Sequence, residues 1–283
     1  FSTMEVACKV AGNDLDPFQL TFLRFLIGGL ILLPFGIAEM KKKEIKLDSK
    51  DILKLLGVGT IGIPISMVLF QVGIMNCNAS SASVMFSINP LFTMVCAHLL
   101  TSEKITKQRL AALTIGIVGL VFIIRPWDVQ EGNTVFGAGC LLLAAITFGF
   151  YTVTGKMVSQ KIGSVAQAGI SFLLGAAVLL IVIIIMGRPV LEGVTDNIPI
   201  ILYTGIFVTG LGYYSYFTSI KLSDATTGSF AFFLKPALAP IIAVIVLRET
   251  ILWNTIAGIL IILIASYMNI RFQQGKKLKK EEK

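Results

Sequence analysis

Charge is scarce in this 283-residue chain, where Asp, Glu, Lys and Arg together make up 14% of the residues. A soluble domain of this length carries about a quarter, so a water-exposed globule is excluded. There is a single histidine, His98, and the four cysteines (Cys8, Cys77, Cys96 and Cys140) show no CxxC or metal-ligand spacing. His98 is read as a packing or interfacial residue and the cysteines as small unpaired hydrophobes. The GxG pairs follow no strand and precede no Walker lysine, so they form no nucleotide loop, and ATP-driven transport by this chain alone is excluded. An intramembrane enzyme needs clustered Asp for Mg²⁺, paired His, or a Ser–His or Ser–Lys dyad. One histidine and one mid-span carboxylate do not supply them. The chain is read as no enzyme, with no cofactor, no metal and no nucleic-acid partner.

Apolar length is what the chain has instead. It is 55% hydrophobic, with a mean hydropathy of +0.84. A helix needs about 20 mainly apolar residues to cross a bilayer, and such windows recur at 1–11, 18–38, 52–76, 79–100, 107–125, 136–157, 165–186, 198–220, 225–247 and 254–271. Barrel strands alternate over about 10 residues, whereas these windows are solidly apolar. The expected fold class is an all-α integral membrane protein of ten helices. The first window is too short to span. It opens FSTMEVACKVAG with no initiator Met, which predicts roughly ten residues upstream.

The formal charge of +8 has a membrane logic. Eighteen of the 24 Lys and Arg residues fall on the side of the loop EMKKKEIKLDSKD, six of them in the tail from Arg271. Only Arg125, Arg188 and Arg248 fall on the other side, and Lys9, Arg24 and Lys235 lie within spans. The positive-inside rule then puts both termini in the cytoplasm of a multi-pass cell (inner) membrane protein. The tail 272–283 serves as a topology anchor or touches anionic lipid.

The chain also repeats itself. Shifted by 146 residues, ASSASVMFSINPLFTMVCAHLLTSE falls on ATTGSFAFFLKPALAPIIAVIVLRE without a gap, matching Ser83 to Ser229, Phe86 to Phe232, Pro90 to Pro236 and Glu103 to Glu249. A shift of 147 places Lys9 on Lys156, Phe25 on Phe172 and Gly28 on Gly175. The expected domains are one repeat over 1–125 and a second over 136–271. Because five is odd, the second copy enters the membrane from the opposite side. Inverted repeats of this kind support alternating access about a midplane site. The two halves, the Arg of LTFLRFLIGG in the second helix, the mid-helix prolines of the fourth and ninth helices and the Glu closing each of those helices resemble the drug/metabolite transporter superfamily. Within it, the chain is similar to EamA-type ten-helix carriers over nearly its whole length. That family typically closes these helices with Gly-Glu, where this chain has Ser102-Glu103 and Arg248-Glu249, and relatives often carry Glu where Lys235 stands. The resemblance implies movement of small metabolites, amino acids or related compounds, commonly outward.

One lysine stands out. In FAFFLKPALAP, Lys235 lies about 16 Å below Asp224 at 1.5 Å per residue, near the midplane of a ~30 Å core. An ammonium there costs several kcal/mol and is rarely left facing lipid, so Lys235 is expected to face a hydrated cavity and receive an anionic group of the substrate. The alternative is a permanent structural pair. Its repeat mate Asn89 reaches similar depth, and Phe86 and Phe232 stand three residues before Asn89 and Lys235 on the same faces. Pro90 and Pro236 each free a carbonyl one turn back, a tolerated state where backbone lines a cavity, and are read as hinges. In TGLGYYSYFTS, Tyr213 and Tyr216 share a face and Tyr214 does not. Gln71 is a further candidate.

Glu5 and Lys9 stand four apart in helix 1, and Arg24 reaches a depth similar to that of Glu5. Glu5–Arg24 and Glu5–Lys9 pairs are both expected geometries. Glu5, the only carboxylate within the body of a span, is either a proton-relay group or half of a static bridge. Taken together, the sequence points to a secondary transporter working as an exporter, whose partners are the lipid bilayer and a small metabolite, an amino acid or other carboxylate-bearing compound being favoured, driven by proton coupling through Glu5 or by facilitated exchange without it. A non-transporting scaffold or sensor of the same fold and an intramembrane lipid-modifying enzyme are the alternatives. Oligomeric state is left open.

Overall fold

Helix boundaries follow local chemistry. Asp16 accepts from Phe18 N at 2.8 Å ahead of Pro17, starting α1's successor, so the first two helices are α1 (Met4–Ala11) and α2 (Pro17–Lys42). Pro at the first helical position loses nothing, because its missing N–H would be an orphan anyway. Asp48 and Asp51 form a reciprocal capping box for α3 (Ser49–Thr60), satisfying two orphan donors. A π-helical turn over Ile61–Met67 then leads into α4 (Val68–Met75). It contains Pro64, whose missing N–H forbids the ordinary bond to the preceding turn.

The structure, a computed structural model, describes residues 1–12, 14–101, 107–124, 131–222 and 225–281. After α4 come α5 (Ala79–Phe86), α6 (Asn89–Leu100), α7 (Lys107–Ile124), α8 (Val135–Ile162), α9 (Ser164–Ile185) and α10 (Ile198–Leu202). A second π-helical turn, Tyr203–Leu211, runs into α11 (Gly212–Leu222), followed by α12 (Ala225–Leu247) and α13 (Trp253–Glu281). No proline explains this second turn. The Thr209 hydroxyl donates to the Thr204 carbonyl five residues back, at 2.9 Å. Gly163, at φ 90°, turns the chain sharply from α8 into α9, a conformation that favours glycine.

The described residues form helices joined by turns and loops and contain no strand. Among the described residues, six helical stretches are long and apolar enough to cross a membrane: Pro17–Lys42, Ser49–Met75, Ala79–Leu100, Val135–Ile162, Ser164–Ile185 and Ile198–Tyr216. Shorter apolar helical stretches lie at Leu110–Ile123, Leu238–Leu247 and Trp253–Ala265. Large hydrophobic side chains such as Leu99, Phe136, Ile184, Ile185 and Trp253 point outward, as a bilayer-facing surface requires.

Small residues let backbones approach. A Cβ on Gly36 would lie 2.6 Å from Ala166 Cα, where α2 meets α9. A Cβ on Gly175 would lie 2.5 Å from the Gly59 carbonyl, where α9 meets α3. The helix pairs α2–α9, α5–α12 and α7–α13 pack against each other, and Phe25 of α2 meets Phe172 of α9 edge to face with centroids 4.8 Å apart. Such close small-residue crossings are the usual packing device in lipid, where no hydrophobic force pushes helices together.

Candidate functional site

Lys235 of α12 is fully buried, and its Nζ stands 2.5 Å from Glu5 Oε1 of α1. The ammonium also sits over the rings of Phe86 (5.1 Å) and Phe70 (5.6 Å). Both are within cation–π range. Residues from α1, α4, α5 and α12, far apart in the sequence, thus converge on one charge. Glu5 is fully buried as well, and its second oxygen, Oε2, has no hydrogen-bond partner. The hydrated cavity expected around Lys235 is, in this structure, a closed pair backed by aromatic rings.

The partners expected for Glu5 are therefore corrected. Lys9 turns away, donates to the Cys77 carbonyl and lies 4.0 Å from Glu249. Arg24, also fully buried, is met by sulfur: Nη1 lies 3.4 Å from Met4 Sδ and Nη2 3.4 Å from Met67 Sδ, while Nε has no partner. Its guanidinium carbon stands 4.6 Å from the Phe25 ring centre. The reason is rotation about the helix. Met4 and Cys8 share one face of α1 at i, i+4 spacing and take Arg24's side, while Glu5 points about 100° round toward α12.

Pro90 and Pro236 behave differently. The helix holding Pro90 is interrupted at Ser87 and Ile88, between α5 and α6. The carbonyl that Pro90 leaves without a donor is Phe86 O, and the Asn89 amide Nδ2 donates to it at 3.1 Å. Asn89 is buried and is occupied in part with repairing its own helix. Helix α12 runs unbroken through Pro236 and Pro240. The Phe232 side chain lies outside the described residues.

Gln71 is fully buried and donates to Cys8 O at 3.2 Å, leaving Oε1 without a partner. Tyr213 and Tyr216 both meet Phe1, with centroids at 5.2 and 6.2 Å, and Tyr213 also meets Phe172 at 5.0 Å. Tyr214 turns to Phe35 instead, at 4.8 Å. One residue not named above, Phe70, belongs to the site. Phe70 adjoins Gln71 and could have been found as an aromatic within a turn of it. Glu249, which closes the helix of Lys235, accepts from Ala79 N (2.6 Å), Ser80 N (3.0 Å) and Ser80 Oγ (2.7 Å), which ties the end of α12 to the start of α5. Its counterpart Glu103 lies outside the described residues.

A separate cavity of about 460 Å³ lies between α3 and α8, walled by Val58, Ile61 and Met157 and rimmed by Lys54, Asp51 and Lys161. Asp51 and Lys161 pair with each other there. No group of three or more His, Cys, Asp or Glu side chains that could hold a metal occurs among the described residues.

The EamA-like transporter family matches residues 1–125 and 135–271. An uncharacterized transporter of Clostridium kluyveri is 36% identical over 276 residues, covering 95% of this chain and 89% of that one. The S-adenosylmethionine uptake transporter of Rickettsia prowazekii is 27% identical over 155 residues, 55% of this chain and 50% of its own length. One crystal structure shares the fold, with a TM-score of 0.66 at 19% identity, covering 94% of this chain and 92% of that one. A helical, multi-pass architecture matched by this family in two stretches from residue 1 to residue 271 leaves one assignment: the chain belongs to the EamA-like transporter family of the drug/metabolite transporter superfamily.

Proposed function

We propose that this protein is a secondary carrier that moves a small carboxylate-bearing metabolite across the cell membrane by alternating access, with its substrate site at the Lys235–Glu5 level. The observation that carries the reading is the fully buried ion pair backed by Phe70 and Phe86. Intramembrane ions are costly and mark substrate or ion paths. A static scaffold gains nothing from them, and the site has no catalytic partner for an enzyme. Asn89, Gln71, Phe232, Tyr213 and Tyr216 complete the proposed lining.

The carrier has ten helices in two inverted repeats, 1–125 and 136–271, with the tail 272–283 and both termini cytoplasmic. Support comes from contacts between residues matched by the sequence shift. Phe25 meets its own mate Phe172, as residues near a two-fold axis do. A Cβ on Gly28 would meet Thr209, and one on its mate Gly175 would meet Ile63, the mate of Thr209. The two π-helical turns also overlap in part under the shift of 146. Export is the direction read from the family. S-adenosylmethionine, for which one relative is named, carries an α-carboxylate and agrees with the substrate class, while net direction in any secondary carrier follows the gradients.

Proton coupling is assigned to Glu5, the buried carboxylate of that pair. The test is thermal stabilisation of the purified full-length protein against a panel of carboxylic-acid metabolites, followed by counterflow of each hit in proteoliposomes. A ligand that binds the folded state raises its stability. Saturable counterflow of a stabilising acid, lost in Lys235→Ala, is expected. A chain that neither binds nor exchanges any member overturns the reading.

A further inference from the structure

Among the described residues three ionisable side chains are wholly buried, Glu5, Lys235 and Arg24. Two of them neutralise each other. Arg24 has no carboxylate partner among the described residues; two thioethers and an aromatic face are what it meets. A guanidinium keeps its charge at any physiological pH, and a buried charge without a partner is destabilising by several kcal/mol in its own right. The cluster thus carries one uncompensated positive charge.

We infer that Arg24 is the anion subsite of the carrier and holds the substrate's carboxylate, while Lys235 stays with Glu5. The inference rests on the carrier reading above and refines it, since Lys235 was the cation expected to take that role. The groups that cover Arg24 suit a site that opens. Methionine side chains are unbranched and flexible, so Met4 and Met67 can swing aside at small cost, whereas a carboxylate partner could not be displaced so easily. The guanidinium presents five donors in a planar fork that matches a carboxylate's two oxygens. Arg24 Nε is already without a partner.

Acceptors without partners lie close by. Gln71 follows Met67 by one helical turn, and it bonds the backbone of Cys8, which follows Met4 by one turn. Residues four apart on a helix lie about 5–6 Å from one another, so Gln71 Oε1 lies within a substrate's length of the guanidinium. Glu5 Oε2, on the same α1, is the other. A metabolite whose carboxylate lies on Arg24 can therefore offer donor groups to Gln71 Oε1 and Glu5 Oε2, and the three sites set its length and polarity.

The test compares each acid that stabilises the purified full-length protein with its primary amide, which keeps the shape and removes the charge. Wild type is expected to bind the acid roughly 10- to 100-fold more tightly than the amide, the range for hydrogen bonds to a charged group. Arg24→Gln is expected to bind the two alike. If Arg24→Gln still prefers the acid by the wild-type margin, the inference is wrong, the anion sits elsewhere, and the carrier reading stands. If wild type binds no acid at all, both fail together. Should Arg24→Gln not fold, wild type alone decides: phenylglyoxal labels arginine, and peptide mass spectrometry reads Arg24. Labelling of Arg24 that the acid suppresses and the amide does not is expected. Labelling indifferent to the acid, or no labelling of Arg24 in any condition, overturns the assignment, because a working anion site must open to solution.

Discussion

Replace Glu249 by alanine, and the start of α5 loses three charge-assisted hydrogen bonds at once, those from Ala79 N, Ser80 N and Ser80 Oγ. The groups left behind are not free to find water, since Ala79 is fully buried and Ser80 nearly so. Deleting an N-cap costs about 0.5–2 kcal/mol, and removing a negative charge from a helix N-terminus costs roughly 0.3–1 more. Partial burial favours the upper end of both, so Glu249→Ala is expected to lower stability by about 3 kcal/mol. At roughly 2–4 °C per kcal/mol for a chain of this size, the thermal transition falls by about 6–12 °C. Glu249→Gln keeps one acceptor oxygen but turns an NH₂ toward a donor, and about half to two thirds of the loss should remain. The assay heats detergent-purified protein and follows the monodisperse fraction, with hydrogen exchange read at the first-turn amides of α5. An unchanged transition in Glu249→Ala, with those amides still protected, would show that the cap seen here contributes nothing.

Other consequences of the geometry are as direct. Lys235→Gln and Glu5→Gln should each destabilise by about 3–5 kcal/mol, the cost of stranding a buried ion, while the double variant should be milder than the sum; additive losses in a thermal double-mutant cycle would mean the pair does not form. Gly175→Ala drives a Cβ to within 2.5 Å of the Gly59 carbonyl and should cost about 1–3 kcal/mol, whereas Gly139→Ala, with nothing within 4 Å, should be neutral on the same melting curve. On the anion-site inference, a carrier that reorients empty must bury Arg24 uncompensated. Radiolabelled exchange in proteoliposomes should then outrun net efflux by roughly 100-fold for a ~3 kcal/mol penalty, and equal rates would refute this.

Much of the fold was legible because its signals are linear. The apolar windows set the helices, and Asp16-Pro17, the Asp48/Asp51 box and Gly163 set their ends. Phe25 and Phe172, matched by the shift of 147, are two rings that touch. Pro90 shows where linear signals stop. Both mid-helix prolines read alike as hinges, yet only the helix at Pro90 is interrupted. What differs is the residue before each proline. Asn89 can repair the carbonyl that its proline frees, with a short side chain that donates at 3.1 Å, and so the break is satisfied locally. Lys235 reaches away to a carboxylate instead. The π-helical turn at Tyr203–Leu211 had no such marker, since Gly and Thr are common in membrane helices for packing alone.

The buried ionisable residues were legible in the sequence, and the rotation that pairs them was not. Counting 1.5 Å per residue places Glu5, Arg24 and Lys235 away from the ends of their apolar windows, and all three side chains are buried within the protein. The count says nothing about which way a helix is turned, and one residue's step on α1 is about 100°. Met4 and Glu5 are neighbours in sequence, yet the first meets Arg24 and the second meets Lys235. Opposite charge at matched depth suggested Glu5–Arg24, and the favourable i, i+4 order suggested Glu5–Lys9. The partner that wins belongs to α12, more than two hundred residues away in sequence. That choice settles the electrostatics of the whole centre. Had Glu5 gone to Arg24, Lys235 would be the stranded charge on a stem that four carbons let swing out of the way. With Glu5 on Lys235, the stranded charge is a guanidinium, which is always ionised and forked to match a carboxylate.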